Sequence, residues 1–298
     1  MKHKIIIAAA IISIFALQLS TLKAQTLERY YNRPFAHLGL NVGGGLGSMI
    51  YNNTLGKASP SYCIDLGFQY SQFFSGIGIG VGIRYSTTHA SAVYNTEEVT
   101  TNLTHANNHY AHYDLTTRYD DWHERQTIHQ LAIPLEVLYR FSMGGGRHFI
   151  GGLGIQLDMP LKGTYSAGKG SYTTTGLFHV ARPHTLSDMP EHGFSTYNET
   201  FDAEIDHFSV GLGLVADLGL HLPLGYAGGL YLGLFASYGL TSALDATDPT
   251  PLLVINASDA SSIDYHGTFA ANGNPSLHLL RVGVKVGIDI GAPMEVGK

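Results

Sequence analysis

Charge is scarce in this sequence: Asp, Glu, Lys and Arg make up 13% of 298 residues, against about 25% in an ordinary soluble domain. A body so poor in charge has little with which to coat itself for water. Cysteine is nearly absent, with Cys63 standing alone, which excludes a disulfide framework, a multi-thiolate zinc site and an iron–sulfur cluster. The formal net charge of -6 offers no basic footprint for nucleic acid. Beyond the N-terminal segment, no stretch reaches the roughly 18 continuous apolar residues of a helical membrane span. Glycine, by contrast, is plentiful at 36 residues.

The N-terminal segment reads as an address. Lys2 and Lys4 precede an apolar run over residues 5–19 broken only by Ser13 and Gln18, and Thr21-Leu22-Lys23-Ala24 leads to Gln25. A charged start, an apolar middle and a small-residue exit predict a secretory signal peptide over residues 1–24, with a barrel domain over residues 25–298. The run is shorter than the ~20 residues of a membrane anchor, and the lone Cys63 is far from the cleavage point that a lipoprotein needs.

The rest of the chain alternates with a period of two, eight times over. Leu38, Leu40 and Val42 open the series. Tyr62, Ile64, Leu66, Phe68 and Tyr70 form the second run, and Ile77, Ile79, Val81, Ile83 and Tyr85 the third. Leu131, Ile133, Leu135, Val137 and Tyr139 form the fourth, in which Leu138 interrupts the polar face; Leu153, Ile155, Leu157 and Met159 form the fifth. The sixth is expected from Phe208 through Val210, Leu212 and Leu214 to Leu222, the seventh from Leu230 to Tyr238, and the eighth from Val282 to Ile290. Each predicts a strand with one apolar face and one small or polar face.

The connections alternate too. Phe73-Phe74-Ser75, Met143-Gly144-Gly145-Gly146 and Gly225-Tyr226-Ala227-Gly228 have the composition and length of hairpin turns. Long polar stretches over residues 50–60, 96–124, 166–201 and 245–275 make the other connections. The fold class expected is all-β: an eight-stranded antiparallel up-and-down transmembrane barrel with short periplasmic turns and long extracellular loops. A soluble lipocalin-type barrel shares the strand count but turns its polar face to water. Here that face is mostly glycine, which suits a narrow interior. Aromatics near the strand ends, such as Tyr62, Tyr85, Tyr139 and Phe141, stand where interfacial girdles lie.

This pattern resembles the small eight-stranded outer-membrane barrels of Gram-negative bacteria, the OmpA/OmpX-like group, over residues 36–291. Arg281, Gly283, Val286 and Ile288 in the last strand are similar to the signal read during barrel insertion, although residues 292–298 trail where a terminal aromatic is common. The resemblance implies location in the cell outer membrane, contact with its lipid and lipopolysaccharide, and, without a peptidoglycan-binding domain, no wall-anchoring role.

Nine charges share the inward parity: Asp65, Glu136, Asp158, Asp217 and Asp289 against Arg84, Arg140, Arg281 and Lys285. Eight strands enclose a space just wide enough to be filled by side chains, so these charges are expected to pair into a plug. Counted from the turns, Asp65, Glu136, Asp217 and Lys285 share the mid-barrel level, with Arg84 and Arg281 above. Histidines cluster in the long connections: His105, His109, His112 and His123 in one, His179, His184 and His192 in another. Without a helix to fix their spacing they are expected to be solvated rather than metal-binding. His207-Phe208-Ser209 is similar to the His-x-Ser pair of outer-membrane lipid A deacylases, but Val210 stands where Asn is expected and no acid follows at the required distance.

The function expected is therefore non-enzymatic, without catalytic residue, cofactor or metal: a structural, adhesive or scaffold barrel. Its loops or periplasmic turns would meet a protein partner, as in barrels that anchor an envelope or secretion assembly. A small-solute pore and a lipid A-modifying enzyme are the alternatives.

Overall fold

The computed structural model describes residues 35–290 other than 52–56, 75, 106–107, 180–182, 206, 225–227, 246–249, 256–262 and 271–275. The segment read as a signal peptide, and residues 225–227 of the turn expected between the sixth and seventh strands, lie outside the described residues.

In chain order the strands are β1 (Phe35–Tyr51), β2 (Lys57–Phe74), β3 (Ile77–Tyr94), β4 (Glu97–His105), β5 (Asn108–Asp120), β6 (Trp122–Gly144), β7 (Arg147–Gly168) and β8 (Ser171–Phe178). They continue as β9 (His184–Leu186), β10 (Thr196–Tyr197), β11 (Phe201–Ile205), β12 (Gly211–Leu224), β13 (Gly228–Gly239), β14 (Leu253–Ile255), β15 (Ile263–Tyr265) and β16 (Leu277–Ile290). One turn of helix, α1 (Gly267–Ala270), precedes the last strand.

Eight of these strands close an antiparallel barrel in the order β1-β2-β3-β6-β7-β12-β13-β16, and β16 returns to β1. The two-residue alternation dictates the wall. Leu40, Leu66, Ile79, Val137, Ile155, Leu234 and Val284 are exposed on the outside, while Asp65, Arg84, Glu136, Asp217 and Lys285 are buried within. The outer apolar face has limits. On β3 it runs from Ile77 to Tyr85, and Thr87, His89 and Ser91 follow on the same face. At this upper edge Tyr62 stacks on His89 with ring centroids 4.0 Å apart, and the Tyr85 hydroxyl lies 2.7 Å from His129 Nδ1.

Three expectations about the connections are corrected. Residues 50–60 are not a long loop, because β1 continues through Tyr51 and β2 begins at Lys57. Phe73 and Phe74 are strand rather than turn, since both belong to β2 and Phe74 pairs with Ile77. Met143 and Gly144 likewise belong to β6, which leaves the turn to Gly145 and Gly146. Gly144 pairs with Arg147, and the bend passes through Gly145 and Gly146 at φ of 64° and 74°, a left-handed conformation that side chains disfavour.

The other long connections are folded. Residues 96–124 hold β4 and β5, and residues 166–201 carry β8, β9 and β10. These five strands form a second sheet in the order β10-β8-β5-β4, with β9 on β8. Here lies the apolar core, in Tyr113, Leu115, Tyr119, Tyr172, Phe178, Phe194 and Leu252. Trp122, the single tryptophan, is fully buried at the start of β6, edge-on to Tyr172 at 5.3 Å and to Tyr265 at 6.0 Å. The sequence pattern assigns hydrophobicity to the barrel wall; the packed hydrophobic core is in this cap.

Candidate functional site

The inward face of the barrel brings the nine expected charges into three levels. Nearest the cap, Arg281 on β16 is 1% exposed and places Nη1 3.4 Å from Asp65 Oδ1. Its Nε donates to Ser237 Oγ at 2.9 Å, and Nη1 also donates to Ser86 Oγ. Asp158 accepts from Gln156 Nε2 at 2.7 Å and from Gln130 Nε2. In the middle, Asp217 on β12 is met by Lys285 Nζ at 2.7 Å and Arg84 Nη2 at 3.5 Å. Glu136 accepts from Gln69 Nε2 at 2.7 Å. At the short-turn end, Asp289 Oδ2 stands 3.2 Å from His221 Nε2, and the Arg140 guanidinium lies 5.1 Å over the Phe73 ring.

The pairing within these levels is specific: Asp65 pairs with Arg281, while Arg84 and Lys285 share Asp217. Counting residues from a turn neglects strand tilt, which displaces register neighbours along the barrel axis. The uncharged partners Gln69, Gln130, Gln156, Ser86 and Ser237 were missed. Inward parity was the available signal for them, since each alternates with an outward apolar residue. Phe235 and Tyr231 on β13 also face inward; Phe235 is 3% exposed, and the Tyr231 ring lies 5.1 Å from Lys285 Nζ. A cavity of about 50 Å³ remains between His37, Asn41, Tyr231, Lys285 and Asp289.

The cap closes over the opposite end. Glu124, on the inward face of β6, is fully buried and accepts from Tyr265 Oη at 2.6 Å, Thr268 Oγ1 at 2.8 Å and Gln126 Nε2 at 2.7 Å. The Thr268 backbone N–H donates to it at 3.1 Å, which ties α1 to the barrel rim. Burial, together with the Glu124 charge, holds the Tyr94 and Tyr265 phenols well above their usual range, so both remain neutral donors.

The expected loop histidines divide. Side chains of His105 and His109 lie outside the described residues. His112 is exposed, His179 Nε2 is 2.7 Å from Asp114 Oδ2, and His123 Nε2 is 3.3 Å from Asp121 Oδ1. His184 stacks on Phe178 at 5.6 Å, and His192 lies 4.0 Å from Glu191. The His207-Phe208-Ser209 segment is not strand: β12 begins at Gly211, and Phe208 is buried rather than facing outward. His207 is exposed and Ser209 half-buried.

No known protein family matches this sequence, and no curated protein matches it. Among solved structures, the chain is similar to Neisserial surface protein A, at 6% identity over 86% of this chain and 96% of that one, with a TM-score of 0.35. It is also similar to Ail, the attachment invasion locus protein of Yersinia pestis, whose structure was solved with the heparin analogue sucrose octasulfate. There the identity is 9% over 86% of this chain and 99% of the other, with a TM-score of 0.27.

Proposed function

We propose that this chain is a plugged, non-enzymatic barrel of the bacterial outer membrane that carries a folded β-sheet cap outward to a partner. The observation that carries this reading is the contrast between the two ends of the long strands. Below Tyr85 and Leu131 the outer wall is a continuous apolar band, far larger than the few hundred Å² that soluble surfaces expose. Its height on β3, from Ile77 to Tyr85, fits the ~9–11 residues of a membrane-spanning strand. Above it the same strands turn polar and build a cap with its own core. In an outer membrane the short turns then face the periplasm and the cap faces out. Lipid and lipopolysaccharide contact the band, and the cap serves as the scaffold or adhesive surface. Loops held on a rigid frame are suited to recognition.

The test is membrane fractionation followed by gels of boiled and unboiled samples, with cap accessibility read by protease on intact cells. Outer-membrane recovery, a heat-modifiable band and cleavage within residues 96–121 are expected. Recovery as a soluble periplasmic protein overturns the reading.

A further inference from the structure

At the short-turn end, His37 on β1, His221 on β12 and Asp289 on β16 converge: one imidazole nitrogen from each histidine and a carboxylate oxygen all lie within 4.8 Å of one another. We propose that these three side chains form a binding site for a divalent transition metal ion of the zinc class, clamping the seam where the barrel closes.

The geometry is that of a site with room made for it. His37 is 6% exposed and His221 3%; neither His37 Nε2 nor His221 Nδ1 has a hydrogen-bond partner, and His221 Nε2 faces the Asp289 carboxylate without an aligned hydrogen bond. Burying such groups without partners is costly, and a metal ion satisfies them. The carboxylate oxygen 3.2 Å from His221 Nε2 matches the separation of about 3.3 Å between ligand atoms around a tetrahedral zinc with bonds of ~2.0–2.1 Å. Rotation of the His37 ring, which packs edge-on against Phe73 at 5.7 Å, brings in the third ligand. Glycine on the facing strands leaves this volume open. A Cβ at Gly229 would occupy the place of His221 Nε2, and one at Gly39 would stand against Asp289 Oδ1.

The donor set selects the ion. Two imidazoles and one carboxylate suit zinc, nickel or copper, whereas calcium and magnesium require an oxygen cage. The 50 Å³ cavity that borders His37 and Asp289 has room for water in an open fourth position. The Asp289 side chain is 17% exposed, which gives an ion a path from the short-turn end. Gly39 pairs with Asp289 across β1 and β16, so an ion held by His37 and Asp289 bridges the first and last strands of the barrel. His148, paired with His221 in register, lies 6.0 Å away ring to ring and supports that histidine from β7.

The experiment uses the full barrel folded in detergent, stripped with chelator, and titrated with Zn²⁺, with Co²⁺ as a spectroscopic probe. A single tight equivalent is expected, with visible Co²⁺ absorption bands of a low-coordinate site and a raised unfolding midpoint on zinc addition. His37→Gln, His221→Gln and Asp289→Asn should each weaken binding at least tenfold and remove the zinc-dependent rise. His179→Gln, in the cap, should leave both unchanged. Heat-modifiability reports that each variant folds, and if His221→Gln fails, His37→Gln and Asp289→Asn carry the test. Retention of the tight equivalent in those two variants, its loss in His179→Gln, or its absence from the wild type overturns the proposal and leaves the cluster a His–Asp ion pair.

Discussion

Arg281 on β16 reaches past β1 to Asp65 on β2, with Nη1 3.4 Å from Oδ1, and both side chains are less than 5% exposed. The same guanidinium serves Ser237 and Ser86, so one residue holds β2, β3, β13 and β16 together inside the barrel. Removing one partner of a buried pair costs about 3–5 kcal/mol. Arg281→Ala should therefore lower the urea midpoint in detergent more than Lys285→Ala, because Asp217 keeps Arg84 when Lys285 is lost. The double variant Asp65→Asn/Arg281→Met should recover part of the loss. Equal midpoints for the two alanine variants would remove Arg281 from this role.

The barrel was legible in the sequence because a period of two survives in a wall covered on neither face by helices: its outward residues are apolar and its inward ones small or polar. Leu138, which breaks the polar face in the sequence, is buried in the lumen at 4% exposure. The cap was not legible. Its strands β4, β5 and β8 are Thr-rich, as in Thr116 opposite Thr175 and Thr117 opposite Thr174, and threonine-rich runs between barrel strands read as loops. Their core comes from isolated aromatics such as Trp122, Phe194 and Tyr265, which meet only in three dimensions. The inward charges are visible by parity, but their pairing is not, since strand tilt decides which levels coincide.

The paired interior predicts low conductance. Asp65, Asp217, Arg84, Lys285 and Arg281 are each at most 7% exposed, and the inward-facing Phe235 is buried as well. Wild-type protein in planar bilayers should show no large open channel. Lys285→Ala combined with Arg281→Ala should open ion-conducting events. A large wild-type conductance would move solute passage ahead of the scaffold reading.

Glu124 fastens the cap. Its bond from Tyr265 Oη is 2.6 Å and fully buried, and a hydrogen bond to a charged acceptor contributes about 1.5–3 kcal/mol. Tyr265→Phe should leave the barrel's heat-modifiability unchanged while lowering hydrogen-exchange protection over residues 263–268 by that amount. Loss of the heat-modifiable band would make the cap part of the barrel's own folding unit rather than a separately opening one.

The cap should also respond to pH with opposite signs from two carboxyls. Burial raises Glu98 above its usual 4.5, against the lowering effect of the Leu252 amide and the Tyr119 hydroxyl. The folded state then holds a proton that the unfolded chain has released. Glu98 therefore favours the folded cap below pH 4.5, and that contribution is lost as pH rises through its elevated value. Asp114 is lowered below its usual 3.8 by the Asn102 amide and by His179. Its contribution is present above pH 3.8 and is lost as pH falls through the depressed value. Glu98→Gln keeps an oxygen for the Leu252 N–H, which lies 3.2 Å from Glu98 Oε2, but has nothing to titrate. Hydrogen exchange at Leu252 and Leu253, compared between wild type and Glu98→Gln from pH 7 to pH 4.5, should show protection rising on acidification in the wild type alone. Asp114→Asn should blunt the separate loss of protection below pH 3.8. Parallel profiles for wild type and Glu98→Gln would mean that Glu98 is solvated and takes no part in holding residues 250–255 on the cap.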